Sequence, residues 1–422
     1  MKVSHIINSD SGGAGRAAYR LHQGLKSLGV DSKMLVQFKA SDDRAVFEPD
    51  KTLDKALIKL KISERLDALP LQFYRGREGT NFSLQWLPDG MASKVSQLNP
   101  DVVNLHWVCH GYLQIESLAK FNKPIVWTLH DLWPFTGGCH YPQDCQRYTD
   151  SCGACPQLGS SKDWDLSRWV WQRKAKAWKN LNLTLVSPSS WMAECAKSSS
   201  LFKDFRVEVI PHGMDTQKYK PIDRQVARSL LNLPQDKQLV LFGAIYTSEP
   251  RKGFQLLEPA LQSLSKSGWK DRIELAIFGS SQPENPIDTG FKYHYLGRFE
   301  DDISLAAVYS AADVMVVPSI QESFGQTAFE ALACGTPVVA FNATGLKDIV
   351  EHRQTGYLAR PYEIEDLALG IAWVLENPDR HQKLSQRARQ KAEQEFTVEL
   401  QARRYLSLFT ELLSPANSPA PK

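Results

Sequence analysis

The chain has 422 residues, which at about 150 residues per domain argues for two or three domains and excludes a single small module. Fifty Lys and Arg stand against 47 Asp and Glu, a net charge of +3, and 42% of residues are hydrophobic. That composition excludes global disorder and gives no basic footprint for nucleic acid.

Residues 1–8 carry one charge and a short apolar run, then meet Ser9-Asp10-Ser11-Gly12-Gly13. The run is too short for a secretory signal and nothing resembles a cleavage site, so it reads as a buried strand entering a glycine loop. No run of 18 apolar residues could form a spanning helix, and the expected location is the cytoplasm. Beyond the loop, Ala14, Ala17, Ala18, Leu21, Leu25 and Leu28 recur at helical spacing and stop at Gly29. Further strands are expected at 32–37, 102–106, 125–130 and 183–187, then at 239–242, 273–278, 314–318 and 337–341. Helices are expected at 253–266, 304–311, 326–333 and 363–376.

Strands alternating with helices imply an α/β architecture with parallel sheets. The two sets predict two doubly wound domains, 1–205 and 206–380, whose ligands would sit beyond the strands' carboxyl ends in a shared cleft. Helices at 381–413 are long enough to pack across both. The end of the chain, 414–422, is rich in Pro, Ser and Ala and is expected to be disordered.

Two segments of the first domain stand apart. Around 51–66, Leu53, Ala56, Leu57 and Leu60 form an apolar stripe beside Lys51, Lys55, Lys59, Lys61 and Arg65; the pattern suits either a solvated surface helix or weak docking on an anionic membrane surface. In 137–158, Cys139, Cys145, Cys152 and Cys155 offer four thiols, as a structural zinc site, as buried thiols or as disulfides.

The segment Pro318-Ser319-Ile320-Gln321-Glu322-Ser323-Phe324-Gly325-Gln326-Thr327-Ala328-Phe329-Glu330 runs from a strand through a polar turn into a helix. First-turn N–H groups from Gly325 to Ala328 can meet a phosphate, Glu330 can accept bonds from a diol, and Glu322 can face a polyol. The plainer reading is that both acids complement a helix dipole. Arg251-Lys252-Gly253 suits a diphosphate, Arg as a fork and Lys as a point charge, or else is a solvated basic turn. The Gly12-Gly13-Ala14-Gly15 loop is either an anion cradle or a tight turn; Val36-Gln37-Phe38-Lys39 lacks the acid that a nicotinamide dinucleotide fold wants at the end of its second strand.

Pro318-Ser-x-x-Glu322-Ser-Phe-Gly-x-x-x-x-Glu330-Ala-x-Ala-x-Gly335-x-Pro337-Val-Val-Ala340 resembles the signature of the family-4 retaining glycosyltransferases of the GT-B fold. The glycine loop, Pro211-x-Gly213-x-Asp215, Arg251-Lys252-Gly253 and Gly345-Leu-Lys-Asp348-Ile-Val350 fall in that family's order, and the resemblance covers roughly residues 1–409. It implies a GT-B fold, two facing Rossmann-like domains with an interdomain cleft and a long C-terminal helix. It implies transfer of a sugar from a nucleoside diphosphate sugar to an acceptor hydroxyl, on a saccharide or a lipid-linked acceptor, with retention. The setting it implies is bacterial polysaccharide or glycolipid biosynthesis at the inner face of the membrane.

Carried over by position, Arg251 and Lys252 would bind the donor diphosphate, Glu330 the ribose, and the segment Phe324, Gly325, Gln326 and Thr327 a phosphate. Glu322 would hold hydroxyls of the transferred sugar, His130 would face that sugar, and Gly13 and Gly15 would approach the diphosphate or acceptor. No catalytic cofactor is implied, because the leaving phosphate is thought to serve as base. His212 and Asp348 stand where the family has Asn and Glu, and are unassigned. His130 could instead be an imidazole satisfied by the strand end. Trp127, Trp133, Phe135, Tyr141 and Tyr148 could stack on an acceptor sugar or fill the core. A nucleotide-sugar epimerase and a non-catalytic nucleotide-sugar-binding protein are the alternatives.

Overall fold

A computed structural model describes residues 1–48, 62–244, 249–282 and 288–414. Most of the basic 51–66 segment and the tail beyond Ser414 therefore lie outside the described residues. The chain forms two compact units, Met1–His212 with the segment from Glu399 onward, and Gly213–Val398.

The first unit is built on β1 (Lys2–Ser9), β2 (Asp31–Phe38), β3 (Val46–Phe47), β4 (Val102–Leu105), β5 (Ile125–Thr128), β6 (Leu183–Ser187) and β7 (Arg206–Val209). Its order is β3-β2-β1-β4-β5-β6-β7, parallel throughout. The order reverses between β1 and β4, the switch point at which such sheets open a crevice for a ligand. The helix Gly12–Ser27 follows β1 and buries Ala17, Ala18, Leu21 and Leu25. A Cβ on Gly15 would lie 2.6 Å from Ser9 O, so the bare glycine lets the helix start close against its strand.

The second unit repeats the plan with β8 (Gln238–Gly243), β9 (Ile273–Phe278), β10 (Tyr293–Gly297), β11 (Val314–Val317), β12 (Val338–Phe341) and β13 (Gly356–Ala359). The order β10-β9-β8-β11-β12-β13 is again parallel, with its switch point between β8 and β11. Val240, Leu275, Val316 and Val339 fill one face of this sheet with the helices Phe254–Leu264 and Ile364–Glu376. Leu241, Met315 and Ala340 meet the helix Gln326–Ala333 on the other face.

Two boundaries differ from expectation. Residues 206–209 pair with β6, so the first unit extends to His212 instead of ending at 205. The stretch expected as crossover helices divides into Pro378–Glu395 and Val398–Leu412. The earlier helix contributes Ala388 and Ala392 to the second core. The later one packs Ala402, Tyr405, Leu408 and Phe409 on Val3, Leu21 and Leu25 of the first, and the Tyr405 hydroxyl lies 2.8 Å from Thr128 Oγ1.

Candidate functional site

In the second unit the two sequence motifs meet at the switch point. Gly253 has φ +74°, and a Cβ there would lie 1.8 Å from Pro318 O. Only glycine permits that approach, which seats the Arg251-Lys252 turn on the end of β11. Ile320 N donates to Arg251 O at 2.8 Å and locks the two loops together.

Three groups converge on Glu322. Its Oε1 accepts from Lys252 Nζ at 2.6 Å and from Ser319 Oγ at 3.0 Å, and Arg251 Nη1 stands 3.5 Å away. Arg251 also donates to Gln321 O at 3.0 Å and pairs with Glu249 at 2.9 Å. Burial alone would raise the pKa of Glu322, but Lys252 and Arg251 override it and hold the carboxyl down at about 2. The result is a buried anion that keeps two cations extended at the strand ends, as recognition of a diphosphate requires. From the neighbouring loop, Thr344 Oγ1 accepts from Glu322 N at 3.2 Å, and Gly345 N donates to Glu322 O at 2.9 Å.

Gly325, at φ +108°, is the N-cap of the helix Gln326–Ala333 and has no side chain to cap it with. Gln326 and Thr327 in its first turn are partly exposed. Glu330 is buried within that helix and accepts from the Tyr309 hydroxyl at 2.9 Å. The Phe324 ring is buried against Phe329 and Phe396, at ring separations of 5.2 and 5.7 Å. Ser319 and Tyr309 hold the two acids, yet no spacing rule singles them out; Ser319 only shares the motif.

In the first unit, His130 lies just past β5 with its ring stacked on His212, centroids 5.2 Å apart and planes 15° apart. Burial lowers His130 to about 4 in spite of Asp131, and burial with the help of His130 and Arg20 holds His212 well below the ordinary imidazole range, so both rings are neutral near pH 7. His212, left unassigned from sequence, is thus the ring stacked on His130. The adjacent Asp131 accepts from Trp107 Nε1 at 2.6 Å and lies 2.5 Å from His140 Nδ1. Gly13 is exposed at the start of the helix after β1.

The aromatic run divides. Trp127, Trp133, Phe135 and Tyr148 are buried in the core of the first unit, where they fill volume and do not offer faces to a sugar; Tyr141 is partly buried against that core. Cys139, Cys145, Cys152 and Cys155 line one small cavity with Thr136, Tyr148 and Ser167. Among the described residues no group of three or more His, Cys, Asp or Glu side chains is placed to hold a metal ion. The loop gathers all four thiols around one void. Burial pushes Cys152 up to about 12 and Cys155 up to about 11, which keeps both as neutral thiols. Nor is Asp163-Trp164-Asp165 a metal motif, since Asp165 Oδ1 accepts from Ser167 N and Arg168 N, at 2.9 and 3.1 Å, and caps the helix Leu166–Trp178. Among the described residues no helix is long and apolar enough to cross a membrane.

Comparison with known proteins gives the same division of the chain. The model for Glycosyltransferase Family 4 matches residues 11–218, and that for Glycosyl transferases group 1 matches 223–391. Two similar curated proteins are D-inositol 3-phosphate glycosyltransferases. That of Geodermatophilus obscurus is 36% identical over 200 residues, 44% of this chain and 43% of its own. That of Saccharomonospora viridis is 32% identical over 200 residues, 44% of this chain and 46% of its own. The chain thus spans less than half the length of these relatives. Among solved structures, sucrose-phosphate synthase from Thermosynechococcus elongatus superposes with a TM-score of 0.68 at 20% identity, covering 99% of this chain and 100% of that one. HepE of Anabaena in complex with UDP and glucose gives 0.64 at 17%, covering 98% and 100%. With a Family 4 match in its first unit, a group 1 match in its second and glycosyltransferases of the GT-B fold as its structural neighbours, the chain belongs to the GT-B glycosyltransferases of family 4.

Proposed function

We propose that this glycosyltransferase takes a nucleoside diphosphate sugar as donor and moves the sugar to an acceptor hydroxyl with retention at the anomeric carbon. The observation that carries the reading is the convergence of Lys252, Arg251 and Ser319 on the buried Glu322 carboxylate. Arg251 and Lys252 would neutralise the diphosphate as it leaves. The first turn at Gly325, Gln326 and Thr327 would meet a phosphate, and Glu330, oriented by Tyr309, the ribose hydroxyls. In the second unit Glu322 would hold hydroxyls of the transferred sugar. In the first unit His130 would face a sugar, while Gly13 and Gly15 keep the loop after β1 slim where diphosphate or acceptor approaches. A saccharide or lipid-linked acceptor in bacterial polysaccharide or glycolipid assembly fits this chemistry. The reaction would run in the cytoplasm, with the basic 51–66 segment as the contact to the inner membrane face.

The test is a panel of nucleoside diphosphate sugars, with nucleoside diphosphate release measured with and without candidate acceptors, and the anomeric configuration of any product read by NMR. Release by the wild type that collapses in the Lys252→Ala/Glu330→Gln double variant is expected. Equal release by the two proteins overturns the site, and an inverted product overturns retention.

A further inference from the structure

In the first unit, residues 62–68 are helical and run into the short helical turn Leu69–Phe73. Along this stretch Ile62, Leu66, Leu69 and Phe73 recur at spacings of four, three and four, which sets them along one side. A stripe of that kind normally faces the core. Here all four side chains are exposed, and the residues that turn inward are Asp67 and Leu71. Asp67 is tied there, because its carboxylate accepts from Leu84 N and Trp86 N, both at 3.2 Å. Hydrogen bonds thus fix the orientation and leave the apolar stripe in water, the mark of a surface that meets something else.

A second apolar piece lies beside the stripe. Leu166 N, at the start of the helix Leu166–Trp178, donates to Tyr74 Oη at 3.1 Å, and Pro70, Trp86, Leu166 and Trp169 line one open groove. Phe73 and Trp164 stand next to the two ends of that bond in sequence. At 86% and 71% they are the two most exposed large apolar side chains among the described residues. The loops that follow are joined as well: Glu78 N donates to Gln157 O at 3.0 Å, and a Cβ on Gly159 would lie 2.5 Å from Gly76 O. The turn with Arg75 and Arg77 is therefore seated against the loop that leads to Lys162, and all three cations are exposed.

Charge indicates what this face meets. In sequence, 51–77 holds seven Lys and Arg against three Asp and Glu, one of them the buried Asp67, in a chain that is otherwise close to neutral. Of the exposed acids nearby, Glu64 stands 3.2 Å from His110 Nδ1, and Glu78 and Asp163 share the loops with the cations. The centre of a protein–protein interface is depleted of charge, whereas here Arg65 directly precedes Leu66 and Arg75 lies two residues past Phe73. Aromatic tips among aliphatic side chains and cations suit the boundary layer of an anionic bilayer, where Trp and Phe sit at headgroup level and Arg meets lipid phosphate. We propose that Leu66, Leu69, Phe73 and Trp164, with Arg75 and Arg77 beside them, dock this unit on an anionic membrane surface. The purpose of docking, access to a lipid-linked acceptor, rests on the proposed function, whereas the docking itself does not.

The experiment is flotation of the full chain, without donor or acceptor, on vesicles of phosphatidylcholine alone and of phosphatidylcholine mixed with phosphatidylglycerol. The wild type should float with the mixed vesicles and bind the neutral ones more weakly. The double variant Phe73→Ser/Trp164→Ser should bind the mixed vesicles about tenfold more weakly, because two side chains no longer enter the boundary layer. Arg75→Gln/Arg77→Gln should also lose about tenfold, and only on the mixed vesicles. All four side chains are exposed, so urea midpoints should stay at the wild-type value. Binding of wild-type strength by Phe73→Ser/Trp164→Ser leaves docking to residues 51–61 and overturns the proposal. So does a wild type that binds neither vesicle, or a double variant that differs from it only in self-association, which makes the face a contact between copies of the chain. A protein that floats as expected but releases no nucleoside diphosphate from any donor upholds the surface and removes the proposed function instead.

Discussion

Lys252 Nζ donates to Glu322 Oε1 at 2.6 Å, and the carboxylate that receives it is almost wholly buried. The pair holds the ammonium at the strand ends before any anion arrives, so little reorganisation is left for binding. Lys252→Ala should lower kcat/KM for the donor by about 10²- to 10³-fold, the range for removal of one preorganised charge-stabilising donor. Because it also strips Glu322 of its shortest partner, the variant should lose about 1–3 kcal/mol of stability. Initial rates of diphosphate release and urea midpoints measure the two effects separately; a wild-type rate in a destabilised protein would make the lysine a structural partner only.

The same carboxylate gives the folded state an acid limb. Glu322 has an ordinary value of 4.5 and stands at about 2 when folded. A depressed carboxylate contributes stability that is fully present above the unfolded value and is lost as pH falls through the folded one. The contribution of this group should therefore fade between about pH 4.5 and pH 2. Urea midpoints taken at pH 6 and pH 3 should fall less in Glu322→Gln than in the wild type. Parallel falls would mean that other carboxylates carry the acid sensitivity.

Gly253 and Gly268 allow a controlled comparison of backbone and contact effects. Both have positive φ, +74° and +85°, but a Cβ at 253 would meet Pro318 O at 1.8 Å whereas nothing lies within 4 Å of one at 268. Gly268→Ala should cost only the left-handed backbone term, about 1–2 kcal/mol. Gly253→Ala adds a clash that pushes the Arg251-Lys252 turn off the end of β11, so it should melt at lower temperature and lose most of its transfer activity. Equal melting temperatures for the two variants would contradict the close approach.

These relationships show where sequence stops being legible. The nine expected strands, 3–8 to 337–341, all fall on strands of the two sheets, because a buried parallel strand needs a continuous apolar run. The four strands that carry no such signal, β3, β7, β10 and β13, are the sheet edges. β7 and β10 are nowhere fully buried and β3 has two residues, so their apolar runs are weak or absent. At the site, Arg251, Lys252 and Glu322 were legible because charge beside glycine at a strand end has few structural uses. The clustering of histidines was not: His5, His22, His106 and His130 are scattered along the first unit, and only the sheet's register brings His5 beside the strand that leads to His106. The thiols were the easier case, since their closeness in sequence is also closeness in space around one small cavity.

Lys174 is fully buried in the first unit and supplies a second pH dependence of the same sign, in the neutral to alkaline range. Its ammonium donates to Trp133 O and to Thr136 O, the latter at 3.0 Å, and lies 3.5 Å from the centre of the Trp133 ring. Burial lowers it from 10.5 to about 7. Between those values the unfolded chain holds this proton more fully than the folded one, so stability rises with pH. From pH 7 to pH 9 the gain from this group should be about 2 kcal/mol. Lys174→Met removes the slope. It also leaves two buried carbonyls without their donor, which should cost about 1–3 kcal/mol at pH 7. Guanidinium titrations of both proteins at pH 7, 8 and 9 give the difference directly, and because every other titrating group is shared, a variant whose stability climbs in step with the wild type would show that Lys174 stays charged in the folded state.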